Sequence, residues 1–177
     1  MTILKTDLTT KTDLAGHSTG TGPIRTQRPE YVDFLPPCNN ACPAGEDIQS
    51  WLALAQAGKY RDAWEKLTDE NPLPAVHGRV CYHPCETSCN RTSLDSPVSI
   101  HSIERFLGDL AIENNWDFYK PASISGKRVL VIGGGPSGLS AAYHLTRLGH
   151  EVTIFEAGPM AGGMMNFGIP AYRLPRN

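Results

Sequence analysis

The sequence predicts an all-helical region followed by the opening of a parallel α/β unit, the class α + α/β. Apolar residues recur at helical spacing between residues 30 and 116, and from Lys127 onward two short apolar runs flank a helical pattern, with glycines gathered where the first run ends. With 177 residues and 40% hydrophobic content the chain can bury one ordinary core or two small ones. A formal net charge of -2 with interspersed signs leaves no basic stripe for nucleic acid, and no apolar run reaches the roughly 20 residues that cross a bilayer. The first residues, MTILKTDLTTKTDLAGHSTGTGP, carry no signal-peptide core, so a cytoplasmic location is expected. In that reducing setting five cysteines, an odd number, point to metal ligation or redox chemistry rather than a disulfide framework.

Residues 1–29 are rich in Thr, Gly, Lys and Asp without an apolar period, and read as a flexible tail. Asp47 opens a helix whose Ile48, Trp51, Leu52 and Leu54 share a face, and Gly58 closes it. A second short helix is expected over Arg61 to Leu67, with Trp51 and Trp64 in the core of the pair and Asp69 and Glu70 as a solvated end. After the NPLP breaker and a cysteine group, Ile100, Ile103, Phe106, Leu107, Leu110 and Ala111 draw one apolar stripe along a longer helix. The helical domain is therefore placed at 30–116, a linker at 117–126 and the α/β part at 127–177.

The α/β part begins with a buried strand, Val129 to Ile132, that runs into Gly133, Gly135 and Gly138 at GxGxxG spacing. A helix follows that turns Leu139, Ala142, Leu145 and Leu148 toward the sheet, and a second strand, Val152 to Phe155, ends at Glu156. This is the dinucleotide-binding order of a Rossmann-type unit. Gly133 permits the tight turn, Gly135 lets a pyrophosphate approach the backbone, and Gly138 lets the helix pack closely, while the helix N-terminus offers unpaired N–H donors. Glu156 stands where a carboxylate accepts hydrogen bonds from ribose hydroxyls. The stretch AGPMAGGMMNFGIPAYRLP reads as a glycine-rich loop beside the cofactor, with Met160, Met164 and Met165 as loop packing.

Cys38 and Cys42 form CxxxCP, and Cys81, Cys85 and Cys89 form CxxxCxxxC. Soft thiolates in two groups suit an iron-sulfur cluster; zinc, with His77 and His83 completing a Cys/His set, and plain burial of small apolar thiols are the alternatives. His83 otherwise reads as a satisfied loop histidine, and Arg79 and Arg91, which flank the cysteines, as facing water.

The GGGPSGL segment, the acid at the end of the second strand and the GGxxxFGIPxxRLP stretch together resemble the FAD site of the glutamate synthase small (β) subunit family. The cysteine layout is similar, independently, to the N-terminal iron-sulfur domain of that family and of dihydropyrimidine dehydrogenase. The resemblance implies FAD at Gly133, Gly135, Pro136, Ser137, Gly138, Glu156 and Gly163. It also implies 4Fe-4S ligation by Cys42, Cys81 and Cys85, with Glu104 as a non-cysteine fourth ligand. Cys38 and Cys89 would serve a second cluster, but Glu30 and Asp33 occupy the places of its other two cysteines, so one cluster is expected. No residue is assigned a catalytic acid, base or nucleophile role. The implied parent oxidises NAD(P)H, bound in a domain beyond Asn177, and delivers electrons to a larger oxidoreductase or amidotransferase subunit; the sequence is thus read as the N-terminal portion of a longer protein. The alternative is a metal-stabilised helical docking module without activity of its own. An exposed half-sheet is expected to promote association.

Overall fold

A computed structural model describes residues 35–176. Within them the order is α1 (Pro37–Ala41), α2 (Ile48–Gln56), α3 (Tyr60–Thr68), α4 (Pro74–Val80), α5 (Pro84–Thr87), a 3-10 turn (Asn90–Ser93), α6 (Ile100–Glu113), β1 (Arg128–Ile132), α7 (Pro136–Arg147), β2 (Glu151–Phe155) and α8 (Met164–Phe167). Asp47 caps α2, its carboxylate accepting from Ser50 N at 3.4 Å, a bond of the kind that stabilises a helix by about 1 kcal/mol. Gly58 takes φ +73°, the left-handed turn that separates α2 from α3.

The helical core is Ile48, Trp51, Ala63, Trp64, Leu67, Cys85, Ile100, Leu107 and Ala111. One thiol is thus part of the same apolar cluster as the two predicted tryptophans. The tightest helix pair is α4 on α6, where Gly78 lies against the Arg105 backbone and Gly108 against Ala75. A Cβ on Gly78 would stand 2.7 Å from Arg105 Cα, so both positions need hydrogen in place of a side chain. Along α6, Phe106 leaves the predicted stripe: it is about half exposed and packs edge-on against Tyr60 at 5.3 Å.

The expected linker has no regular element but is not loose. Trp116 and Phe118 lie against Trp64 at 5.7 and 5.1 Å, and Phe118 meets Tyr143 of α7 at 5.1 Å. Tyr143 OH donates to Thr68 O at 2.8 Å, and Arg147 donates to the Asp69 carboxylate at 2.6 Å and to its carbonyl. Asp69 is therefore the anchor for the α/β part rather than a solvated helix end, because a guanidinium held by both a carbonyl and a carboxylate is a charge-assisted clamp.

β1 and β2 pair in parallel, Arg128 opposite Glu151 through Ile132 opposite Phe155, with α7 as the crossover. Ala142 is buried under the sheet, whereas Leu148, expected there too, is mostly exposed at the end of α7, where the chain turns into Gly149. Leu130, Ile132 and Phe155 are exposed on the two-stranded sheet, as the half-sheet expectation requires. No helix among the described residues is long and apolar enough to cross a membrane.

Candidate functional site

The cysteines sit where short helices end. Cys42 closes α1 and Cys81 closes α4, each in extended backbone, and Cys85 lies inside α5. Asn39 pins the first group to the core: its side-chain oxygen accepts from Gln49 N at 3.1 Å and its amide donates to Asp47 at 3.1 Å. His83 adopts φ +56°, a left-handed conformation that reverses the chain between Cys81 and Cys85, and its N–H donates to Cys81 Sγ at 3.4 Å. All five thiols are free. Burial, Glu86 and the neighbouring Cys42 and Cys81 thiols push Cys85 up to about 12, and burial with Glu46 raises Cys42, so both are protonated until a metal displaces the proton. Cys85 is therefore near enough to Cys81 and to Cys42, some forty residues away in sequence, to feel their charge. Cys38 donates weakly to Asn39 and packs on the same core; Cys89 precedes the 3-10 turn. Glu30 and Asp33 lie outside the described residues.

Glu104 is buried on α6, and burial together with the charges of Glu46 and Glu86 raises its carboxyl to about 8. Glu46 also acts on Cys42, and Glu86 on Cys85, so the buried acid and the thiols share the same charged neighbours. Glu46 and Asn71, both buried, carried no signal in the sequence. A Glu in a Cys-Pro-Ala-Gly-Glu turn and an Asn before Pro look like turn residues. Asn71 donates to Glu46 Oε1 at 2.9 Å and to Glu104 Oε1 at 2.7 Å. Trp51 Nε1 is buried without a complete hydrogen bond, yet lies close enough to help lower Glu46 against the larger upward effect of burial.

Three expectations about flanking residues are corrected. Arg79 does not face water: it grips Asp109 with both guanidinium nitrogens at 2.7 and 2.8 Å and donates to Ala75 O, tying α4 to α6. Arg91 pairs with Asp95 on the surface, as expected of a solvated residue. His83 is not a satisfied histidine, since Nε2 is buried with no partner among the described residues, and its ring stacks on His101 at 4.1 Å. Met160 and Met164 are exposed rather than packed, and a one-turn helix, α8, interrupts the predicted loop.

His83, Glu86 and His101 offer donor atoms within 4.8 Å of one another, the spacing of a metal triad. Two facts work against that use. Stacked imidazoles direct their lone pairs side by side rather than to one point, and Glu86 Oε1 already accepts from His101 N at 3.0 Å and bonds Nδ1 at 2.7 Å. His77, the other histidine of the zinc alternative, is outside this triad.

The glycine loop is built as the motif predicts. Gly133 has φ +100°, and a Cβ on Gly138 would strike the Gly133 carbonyl, so the helix can start this close to the strand only with glycine there. A Cβ on Gly135 would meet nothing within 4 Å, leaving an open cradle at the N-terminus of α7, whose cap has no side-chain acceptor. Pro136 and Ser137 form the first turn, and Gly163 with φ +48° approaches Gly135 so closely that a Cβ would stand 3.1 Å from its Cα. Glu156 accepts from Gly134 N at 2.6 Å and Gly158 N at 2.7 Å, which lower its carboxyl and hold it ionised. Each carboxylate oxygen retains a second lone pair for a ribose hydroxyl.

Comparison with known proteins agrees with both halves. Residues 34–116 match the family described as dihydropyrimidine dehydrogenase domain II, 4Fe-4S cluster, and residues 131–168 match the NAD(P)-binding Rossmann-like domain. The chain is 36% identical to the NADP(+)-dependent formate dehydrogenase subunit beta of Moorella thermoacetica, across 93% of this chain and 27% of that protein. It is 40% identical to the glutamate synthase [NADPH] small chain of Mycobacterium tuberculosis, across 86% of this chain and 32% of that protein. It is 38% identical to the NAD-dependent dihydropyrimidine dehydrogenase subunit PreT of Salmonella typhimurium, across 80% of this chain and 35% of that protein. The class is thus a 4Fe-4S domain joined to a Rossmann-like nucleotide-binding unit, as in oxidoreductase subunits. Over most of its length the chain is similar to glutamate synthase small chains and dihydropyrimidine dehydrogenase subunits, and it spans about a third of the length of each.

Proposed function

We propose that this chain forms the cluster-bearing and nucleotide-binding opening of an electron-transfer subunit. The parent protein takes electrons from NAD(P)H at FAD and passes them through one 4Fe-4S cluster to a partner, a larger oxidoreductase or amidotransferase subunit. The observation that carries this reading is the approach of Cys42 and Cys81 to the buried Cys85, within the region that matches the 4Fe-4S family; the buried acid Glu104 shares the charged neighbours Glu46 and Glu86 with these thiols. The donor set fits such a group: three thiols, two of them desolvated, and one carboxyl in an apolar shell, with no cation among the described residues paired to it. When bound, a flavin accepts an electron pair and a cluster exchanges single electrons, which is the chemistry the pairing supplies. This chain's own residues then have separate tasks. Gly133, Gly135, Ser137 and Gly138 present backbone N–H groups to a pyrophosphate while Pro136 presets the first turn of α7, Glu156 orients a ribose, and Gly163 brings the following loop against the cradle. The clamp of Arg147 and Tyr143 on α3 fixes the nucleotide unit to the helical core and so sets the path between the two centres.

The test is anaerobic purification of the full-length protein with iron, sulfide, zinc and flavin quantified per chain. About four irons with matching sulfide, lost in Cys85→Ser, together with bound FAD bleached by NAD(P)H, is the expected result. About eight irons would overturn the single-cluster count. Zinc without colour, or no metal, would overturn the iron-sulfur reading and favour a docking module.

A further inference from the structure

Asn71 is buried beneath α6 in the breaker that precedes α4, and its amide has only one possible orientation. Its Oδ1 accepts from Leu73 N at 3.0 Å, which requires oxygen at that end. The Nδ2 group therefore points the other way, and its two hydrogens are divided between Glu46 Oε1 at 2.9 Å and Glu104 Oε1 at 2.7 Å. Every bond the side chain can make through its nitrogen is spent on a buried carboxylate. Such a residue is expensive: two acids in an apolar shell served by one neutral amide are under-supplied with donors, and a Gln or Leu at either acid would remove the problem. Nor does the arrangement merely tie helices together, since Arg79 and Asp109 already bind α4 to α6. What it does fix is one oxygen of Glu104; Oε2 takes no hydrogen bond among the described residues.

We propose that Asn71 is the positioning residue for the carboxylate ligand, holding Glu104 by Oε1 so that Oε2 is left for iron. The inference rests on the cluster assignment above and adds a residue to it that is not itself a ligand. Hydrogen-bond partners of metal ligands orient them and alter how tightly the metal is held, typically by about 10–100-fold in affinity.

The experiment uses the full-length protein loaded with its cluster, in a cycle of wild type, Asn71→Ser, Glu104→Gln and the double variant. Serine keeps an acceptor for the Leu73 N–H, so the start of α4 is preserved while the amide donors are lost. The readouts are the rate of iron release to a chelator, the electron paramagnetic resonance spectrum of the reduced protein, and the melting temperature of each variant stripped of metal. Asn71→Ser is expected to speed iron release about tenfold or more and to shift the g values, and to do neither in the Glu104→Gln background. A purely structural Asn71 would lower the melting temperature and speed release by the same factor in both backgrounds, which overturns the inference. Iron-loaded wild type with unmoved release and spectrum in Asn71→Ser overturns it as well. Wild type without iron overturns instead the reading on which it rests. Asn71→Asp, which keeps the Leu73 acceptor and cannot donate, carries the same expectation if the serine variant does not fold.

Discussion

Replacing Gly108 with alanine tests whether close helix contact builds the thiol site. An alanine Cβ there would lie 2.7 Å from Ala75 Cα and 2.9 Å from Ala75 Cβ, against the 3.4 to 4 Å of ordinary contact, so α4 and α6 must separate by roughly half an ångström to an ångström. Overpacking of this kind costs about 1–3 kcal/mol, and here it falls on backbone, which yields less than a flexible side chain. Alanine returns about 1 kcal/mol of helix propensity over glycine. With the clash on backbone placing the cost in the upper half of that range, the net expected loss is about 1–2 kcal/mol, or a fall in melting temperature of roughly 2–8 °C for a unit of this size. Gly78→Ala meets the Arg105 backbone across the same seam, at 2.5 Å from its nitrogen. Once one substitution has parted the helices, the second has less to displace, so the double variant should lose less than the sum of the singles. Because Cys81 closes α4, separation also moves it relative to Cys85, and iron retention should fall along with stability. Thermal melting of the metal-free single and double variants measures the first effect. A Gly108→Ala melting temperature at or above wild type, or additive singles, would refute the account of the seam.

Gly135→Ala should leave melting within about 2 °C of wild type, because its Cβ meets nothing, yet reduce bound flavin about tenfold or more in the full-length protein; retained flavin would show that the cradle is not the phosphate site. In the metal-free chain Glu104 has a carboxyl raised to about 8 in the folded state, against about 4.5 when unfolded. Its contribution to stability is thus full below about pH 4.5 and is lost as pH rises through about 8, the reverse of a salt-bridged carboxylate, and Glu104→Gln should flatten that decline in urea titrations taken across this window. Arg147→Ala leaves Asp69 with Lys66 alone and should cost about 1–3 kcal/mol while slowing reduction of the cluster by NAD(P)H more than reduction of the flavin; equal slowing of both would remove its role in joining the two centres.

Local rules accounted for the elements whose cause is local. Asp47 caps α2, Gly58 ends it, the stripe from Ile100 to Ala111 forms α6, and the glycine motif folds as strand, turn and helix, since each depends on residues within a turn or two of one another. The short helices α1, α4, α5 and α8 were invisible for the converse reason. At four to seven residues they are below the length at which periodicity can be read, and packing rather than propensity maintains them. Arg79 looked like a surface residue because its partner, Asp109, is thirty positions away on another helix. Leu148 looked like a sheet-facing residue because the helical period continues one step past the place where the chain leaves the sheet.

The thiols themselves, their grouping, and the phosphate loop with its terminal acid were determined by the sequence, because residue type and spacing are enough to specify soft ligands and a glycine turn. The convergence of Cys42 with Cys81 and Cys85, the burial of Glu104, and the bridge from Asn71 to two carboxylates were decided only by tertiary structure. Those properties arise between segments distant in the chain, where desolvation and shared charge, rather than spacing, determine which groups hold protons.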